Sequence, residues 1–305
     1  MGGGAGSVKG ILGRCSVQVQ EVAPGVLAAT GLTGANVGLI LTSEHLVLVD
    51  APFVPVEARA WCREVERVSQ NRLCYIVNTD HHLDHALGTC YLPRGLVIAH
   101  ETTWKLLRSL TVEVATQKAL EMAEGRVTDL GGQLTDLRIV TPQLTLGKSI
   151  SLWSGEEQID ILHLPGHTAG TIGVYLPRLG VLFCGDTVVN GCHPYAGDAN
   201  SLQWLESLGL IRSLGVRTIV PGHGPVGGAE IVEPLYRYLT ELRQRVEECF
   251  LAGHTRRETV ERVKPLEAFP IPSGQEERVR RFIRASVERV YDEIKRTATR
   301  NRERT

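Results

Sequence analysis

The sequence predicts an α/β protein with a helical C-terminal extension, on three observations. Between residues 36 and 77, apolar runs of strand length flank a segment of helical period. From 131 to 220, short apolar runs follow one another, punctuated by glycine and proline. Beyond 227 the pattern is helical to the end. The chain divides accordingly into a leader, 1–16, expected to be disordered, a body, 17–226, and a helical extension, 227–305.

Taken in order, Val17 to Val22 alternates apolar and polar residues, Pro24-Gly25 supplies a turn, and Val26 to Ala29 completes a hairpin. Asn36 to Leu41 and His45 to Asp50 are two further strands about the polar turn Thr42-Ser43-Glu44, the second ending on a carboxylate. Val56, Ala60, Trp61, Val65 and Val68 recur at helical spacing, and Leu73 to Val77 resumes strand character. Leu96 to Ala99 reads as a strand and Thr102 to Ala123, free of Gly and Pro, as one long helix whose mixed charge suits a lid or partner surface.

Four runs, Leu137 to Val140, Leu144 to Leu146, Ile150 to Trp153 and Ile159 to Leu164, read as antiparallel strands. Thr171 to Leu176 and Val181 to Cys184 follow, the latter emptying into Gly185-Asp186-Thr187. Ser201 to Leu214 is helical, with Leu202, Leu205, Leu208 and Ile211 on one face, and Thr218 to Val220 is a last strand. Ala229 to Ala252 and Glu276 to Ala298 are the helices of the extension, separated by a proline-rich break from Lys264 to Pro272. The apolar stripe of the final helix, Val279, Phe282, Ile283, Val287, Val290, Tyr291 and Ile294, must pack on the body or on a homodimer partner.

Composition bounds the function. With 305 residues, 43% of them apolar, the chain can bury a full core. Its 33 basic and 34 acidic residues leave a formal charge of -1, so no global field draws nucleic acid or an anionic membrane. The acids interleaved among the arginines of the final helix argue the same way. Seven cysteines, without a CxxC pair and mostly inside apolar runs, suit reduced thiols. The N-terminus has no apolar signal region, Gly6 stands where a myristoylation signal wants Ser or Thr, and no apolar run nears the roughly 20 residues that span a bilayer. A cytoplasmic protein is expected.

The chemistry concentrates in Asn78-Thr-Asp-His-His-Leu-Asp-His85, where five of eight side chains can bind a metal and a strand leads straight in. On extended backbone, residues i and i+2 project to one side, so Asp80 and His82 can grip one ion while a turn at Leu83 swings Asp84 and His85 towards another. His81 would point to the opposite side, so Asp80 is preferred. Three more candidates each follow a buried run beside glycine: His167 in Pro-Gly-His-Thr, Asp186 in Gly-Asp-Thr, and His223 in Pro-Gly-His-Gly. A single Pro-Gly-His would be an ordinary turn; the ordered series of cluster, His, Asp, His is far more specific.

Through Asn78 to His85, Pro165 to Gly170, Cys184 to Thr187 and Pro221 to Pro225, residues 17–226 resemble the metallo-β-lactamase fold superfamily. The resemblance implies an αβ/βα sandwich, two mixed sheets back to back between helices, with a binuclear metal site at one edge. By position it assigns Asp80, His82 and His167 to one metal and Asp84, His85 and His223 to the second, with Asp186 bridging. The cofactor implied is two divalent ions, with zinc the usual choice. The chain departs from the family in carrying Asp80 where members usually have His. A hard oxygen donor there shifts preference towards manganese or iron, and it allows a site in which only the second position is occupied.

Two ions about 3.5 to 4 Å apart can share and acidify a water and aim it at a polarised carbonyl. Asp84 would orient that water or take its proton, and Asp50, at the end of a neighbouring strand, would hold a ligand imidazole or cap the turn. His193 and Tyr195, in a glycine-rich loop after Asp186, are candidates to touch substrate. Cys184 reads as a buried apolar thiol; His45, His100, His163 and His254 lack ligand context. The expected function is hydrolysis of an ester, lactone, thioester or β-lactam bond in a small molecule. Two other readings are an oxygen-consuming, mononuclear-iron enzyme like the family's persulfide dioxygenases, and a degenerate member that only binds.

Overall fold

A computed structural model describes residues 18–69, 73–123, 125–263 and 269–302. The expected disordered leader, 1–16, and Val17 lie outside them. Seven strands form one sheet in sequence order: β1 (Gln18–Ala23), β2 (Val26–Thr30), β3 (Val37–Leu41), β4 (His45–Val49), β5 (Leu73–Val77), β6 (Leu96–His100) and β7 (Leu144–Leu146). Pairing is antiparallel from β1 to β4 and parallel from β4 to β7. Helix α1 (Pro55–Ser69) makes the crossover between β4 and β5. The second sheet runs β12 (Thr218–Val220), β11 (Val181–Phe183), β10 (Ile172–Leu176), β9 (Glu157–His163), β8 (Ser149–Ser154), and is antiparallel except for β11 with β12.

Alternation along the strands sorts side chains into layers. In β4, Val47 and Val49 face the opposite sheet, whereas Leu46 and Leu48 face outward towards Trp61 and Val65 of α1. In the second sheet, Ile172, Val174, Leu176, Val181 and Phe183 meet Val26, Ile40, Val77 and Ile98 of the first. Each such Val, Ile or Leu contributes about 1.5 to 3 kcal/mol by leaving water. Leu182 and Tyr175 point the other way, under α6 (Ser201–Ser213), α7 (Val232–Leu251) and α9 (Glu276–Arg302). The product is a four-layer αβ/βα sandwich with a helical C-terminal region.

Several expectations need correction. The helix expected over Thr102 to Ala123 is two, α3 (Glu101–Ser109) and α4 (Val112–Ala123), because Leu110 turns extended, with φ -82 and ψ 127. The Thr111 hydroxyl then caps the next turn by accepting from Val114 N at 3.3 Å. Leu137 to Val140 is not a strand; Leu137 instead packs with Ala115, Ala119 and Leu130 beneath α4. Leu144–Leu146, expected among antiparallel strands, pairs parallel to β6 in the other sheet. Leu202 is exposed, and Trp204 takes its place on the buried face of α6. The apolar stripe of α9 is covered within the chain, Val279, Ile283, Val287 and Val290 packing with Leu235, Leu239 and Leu242 of α7. Among the described residues no helix is long and apolar enough to cross a membrane.

Candidate metal centre

The candidate residues leave the sheets at carboxyl ends of strands that share one edge of the sandwich. β5 delivers Asp80 and His82, and a one-turn helix, α2 (Leu83–Ala86), delivers Asp84 and His85. The β9–β10 connection delivers His167, a tight turn after β11 delivers Asp186, and β12 runs into His223. Close approach of these loops requires glycine at Gly222, where a Cβ would lie 1.9 Å from Asp186 Oδ1, and at Gly166, which has φ +144 and lies against the Trp204 backbone.

All seven side chains meet. Asp80, His82 and His167 form one trio and Asp84, His85 and His223 a second, with the donor atoms within each lying no more than 4.8 Å apart. Asp80 Oδ2 is 3.4 Å from both His82 Nδ1 and His167 Nε2, and His223 Nε2 is 3.2 Å from Asp84 Oδ2. Asp186 stands between the trios. Its Oδ1 is 3.4 Å from His85 Nε2 and 3.5 Å from His223 Nε2, while its Oδ2 is 3.5 Å from His167 Nε2.

Four ligands at about 2.0 to 2.1 Å from a tetrahedral ion stand roughly 3.3 Å apart, so these spacings fit divalent metals. Asp80 Oδ2, His85 Nε2 and Asp186 Oδ1 are moreover buried without a hydrogen-bond partner, an arrangement costly unless a cation receives them. The donor set fits the cofactor.

The outer nitrogens of the imidazoles are tied down. His85 Nδ1 donates to Asp50 Oδ2 at 2.8 Å, freeing Nε2 to face the centre. Asp50 also accepts from Thr79 N and Thr79 Oγ1, each at 2.7 Å, and holds φ 58, the left-handed region that Asp tolerates better than most residues. His167 Nδ1 donates to Tyr195 O at 3.0 Å. His82 turns its Nδ1 to the centre and its Nε2 to Asp198 Oδ2 at 3.1 Å. Asp80 Oδ1 accepts from His82 N at 2.7 Å, a local turn bond that fixes the carboxylate so that Oδ2 faces inward.

Charge within the cluster is mutually compensating. Burial would raise the Asp80 carboxyl, but the imidazoles of His82, His85 and His167 hold it well below the usual range. Asp186 is likewise held down, at about 2, by His223 and His85 against its burial. For His82, burial pulls down, yet Asp80 and Asp198 push the imidazole up to about 10. His81 lies outside the seven, and burial, then the charge of His82, depresses it to about 4.

Two sequence candidates part company. Tyr195 stands beside the centre, its ring 6.0 Å from that of His82. His193, the other candidate to touch substrate, donates through Nε2 to Phe269 O at 3.1 Å and packs edge-on against Tyr238 and Phe269, so its contacts are with the C-terminal region. Cys184 is fully buried and burial pushes its thiol up, as expected of a core residue. His45 bonds Ser154 Oγ at 2.8 Å, and His100 stacks on His163 at 4.2 Å.

Sequence reasoning missed Asp198 and Asn36. Asn36 N donates to Gly222 O at 2.7 Å and its side chain to Pro221 O and Gly224 O, fastening the loop that carries His223. The only signal for Asp198 was its place in the glycine-rich loop that supplies Tyr195.

Comparisons with known proteins agree with this geometry. Hydroxyacylglutathione hydrolase from Bartonella quintana is 31% identical over 258 residues, 82% of this chain and 83% of that protein. The enzyme of the same name from Thermosynechococcus vestitus is 31% identical over 145 residues, so the match spans about half that relative's length, 46%. Human acyl-coenzyme A thioesterase MBLAC2 is 26% identical over 218 residues, 64% of this chain and 75% of that protein.

In fold, a metallo-beta-lactamase from Pontibacter korlensis aligns over 74% of this chain and 99% of its own, with TM-score 0.57 and 21% identity. The sec-alkylsulfatase Pisa1 from Pseudomonas sp. covers 91% of this chain and 50% of its own, with TM-score 0.70 and 17% identity. The sequence model of the Metallo-beta-lactamase superfamily matches residues 30–223, a span that holds all seven clustered side chains and the strands from β3 to β12, and the chain belongs to that superfamily.

Proposed function

We propose that the protein is a metal-dependent hydrolase of small-molecule thioesters, working in the cytoplasm, with two divalent ions, Asp80, His82 and His167 holding one and Asp84, His85 and His223 the other. The observation that carries the reading is Asp186, whose two carboxylate oxygens face different trios at 3.4 to 3.5 Å, the arrangement a bridging ligand needs. The choice of thioester over ester, lactone or β-lactam is supported by relatives named as hydrolases of hydroxyacylglutathione and of acyl-coenzyme A. Two divalent ions bound there would supply Lewis-acid polarisation of the carbonyl and acidification of water.

The chain's own groups supply the rest. Asp84 Oδ2 faces His223 Nε2, leaving Oδ1 to accept a proton from the attacking water. Burial would raise that carboxyl, but His223, His85 and His82 hold it far below its ordinary value, so it is ionised at neutral pH. The water oxygen forms the new bond to the carbonyl carbon, the C–S bond breaks, and the proton taken by Asp84 passes to the departing thiolate. Asp50, Tyr195 O and Asp198 keep the imidazoles in the tautomers that leave a lone pair facing inward. Asp80 adds a carboxylate that favours manganese or iron more than an imidazole would.

The test is elemental analysis of the purified chain together with hydrolysis of thioester, ester, lactone and β-lactam substrates under zinc, manganese and iron. Two metals per chain, thioester turnover and its loss in Asp186→Ala are expected. A metal-loaded protein inert towards every thioester overturns the proposal, and one iron per chain with oxygen uptake would replace it with the dioxygenase reading.

A further inference from the structure

The two trios are braced from different parts of the molecule. His85 leans on Asp50 in the body, and Asn36 with the backbone of Asn190 fastens the loop of His223. His167 and His82, by contrast, both turn their outer nitrogens to the stretch that precedes α6, to Tyr195 O at 3.0 Å and Asp198 Oδ2 at 3.1 Å. That stretch is irregular from 190 to 200, so its carbonyls are not aligned by a strand or helix of its own.

Helix α9 aligns them. Ala196 N donates to Ser286 Oγ at 3.2 Å, and Ala196 N belongs to the same peptide unit as Tyr195 O. The unit is planar, with N–H and C=O pointing opposite ways. It is therefore stretched between Ser286 on one side and the imidazole of His167 on the other. A second unit repeats the device. Arg289 Nε donates to Ala199 O at 2.6 Å, while Asn200 N, on the same peptide, donates at 2.8 Å to Gly166 O, in the peptide that leads into His167.

Ser286 is fully buried and gives its own proton to Phe282 O at 2.8 Å, which leaves its oxygen lone pairs for Ala196. An amide whose N–H is engaged is also a better acceptor at its C=O. Without Ser286 a buried N–H would be orphaned, and the unit would turn to find another partner. That turn takes Tyr195 O away from His167, whose proton can then move to Nε2, the nitrogen that faces Asp80 and Asp186. Loss of Arg289 frees the second unit in the same way and loosens the backbone at Gly166.

We propose that Ser286 and Arg289 are positioning residues for the metal site of Asp80, His82 and His167: two peptide units carry the docking of α9 to His167, and the site of Asp84, His85 and His223 is independent of it. The inference rests on the two-metal assignment of the hydrolase reading and gives the C-terminal helix a part in it. Coupling of this kind is reciprocal, so an ion on the first site holds α9 in place.

The experiment uses the full chain, stripped of metal and titrated calorimetrically with zinc in two backgrounds. His223→Ala leaves the first trio intact, and His82→Ala leaves the second. Ser286→Ala and Arg289→Gln are each expected to weaken zinc binding about three- to tenfold in the first background and less than twofold in the second. Arg289→Lys, which keeps a donor, should recover part of the affinity. Val290→Ala, a buried change on α9 that removes neither bond, should lower the melting temperature without separating the two backgrounds. Zinc should also slow amide exchange along α9 in the His223→Ala background and not in His82→Ala.

Equal weakening in both backgrounds, no weakening in the first, or a first trio that takes up no zinc overturns the proposal. A chain that takes up none in either background overturns the two-metal assignment as well. Zinc binding that depends on Ser286 and Arg289 in a protein that cleaves no thioester supports the positioning role and sinks the hydrolase reading alone. Should Ser286→Ala fold poorly, Arg289→Gln decides, since that side chain is 33% exposed and its loss leaves no large cavity.

Discussion

Replacing Asp50 by Asn isolates what its carboxylate does for the centre. Three buried donors converge on it: Thr79 N and Thr79 Oγ1 at 2.7 Å and His85 Nδ1 at 2.8 Å. Asparagine has nearly the same shape and tolerates the same left-handed backbone, φ 58, so the turn itself is not penalised. Its amide, however, offers one acceptor where the carboxylate offers two. With the oxygen kept on Thr79 N, the amide nitrogen faces His85 Nδ1, donor against donor. His85 escapes by moving its proton to Nε2, and that blocks the nitrogen turned towards Asp186.

The loss of such an outer partner lowers metal affinity by about 10- to 100-fold, or about 1.4 to 2.8 kcal/mol. Calorimetric titration of the metal-free protein with zinc reads it, alongside the melting temperature of the same sample. Asp50→Ala is the poorer probe, since it adds about 1 to 2 kcal/mol of backbone strain and leaves buried donors unpaired at about 1 to 3 kcal/mol each. Undiminished zinc affinity in Asp50→Asn, with an unchanged melt, would reduce Asp50 to a turn former and refute the reasoning.

Asp198→Ala removes the acceptor of His82 Nε2, and because that carboxylate is half exposed and water can stand in, the loss of zinc affinity is expected at the lower end, about tenfold, with an unaltered melt; full retention would count against its role. Gly38→Ala puts a Cβ 2.3 Å from the Phe183 ring between the sheets, so the urea midpoint should fall by an amount equivalent to about 1 to 3 kcal/mol, and a neutral result would show that the ring can yield. His100 is pulled below its ordinary pKa by burial and then by His163, so its unfolded form binds protons more readily and it costs stability as pH falls below about 6.5. His100→Asn should flatten the decline of the urea midpoint between pH 7 and 5, and an equal slope in both proteins would overturn that assignment.

The convergence of the seven side chains was legible because each follows a run that must be a buried strand, and a strand's end fixes where the next side chain emerges. Asp80 could be chosen over His81 by the parity of extended backbone alone, and the structure groups Asp80 with His82 and His167. What escaped had no such anchor. Asn36 and Asp198 act across 185 and 116 residues of chain, from loops without period. Likewise, Leu144–Leu146 gives no hint of which sheet it joins, since three apolar residues satisfy either core. The break at Leu110 lies where neither Gly nor Pro marks it. The partner of His193 was not legible because a loop's position does not say which way its side chains turn; here it is Phe269, 76 residues on.

The seven converging groups come from both walls of the sandwich: four follow β5 in the larger sheet, and three follow β9, β11 and β12 in the smaller. A cation seated among them would be a rivet through the molecule, joining halves that at this rim are otherwise held by apolar contact and a few hydrogen bonds, those of Asn36 to the loop of Gly222 and of Ile172 N to Thr79 O. Its removal should be felt as faster amide exchange at the ends of β5 and β11 well before the distant hairpin of β1 and β2 loosens.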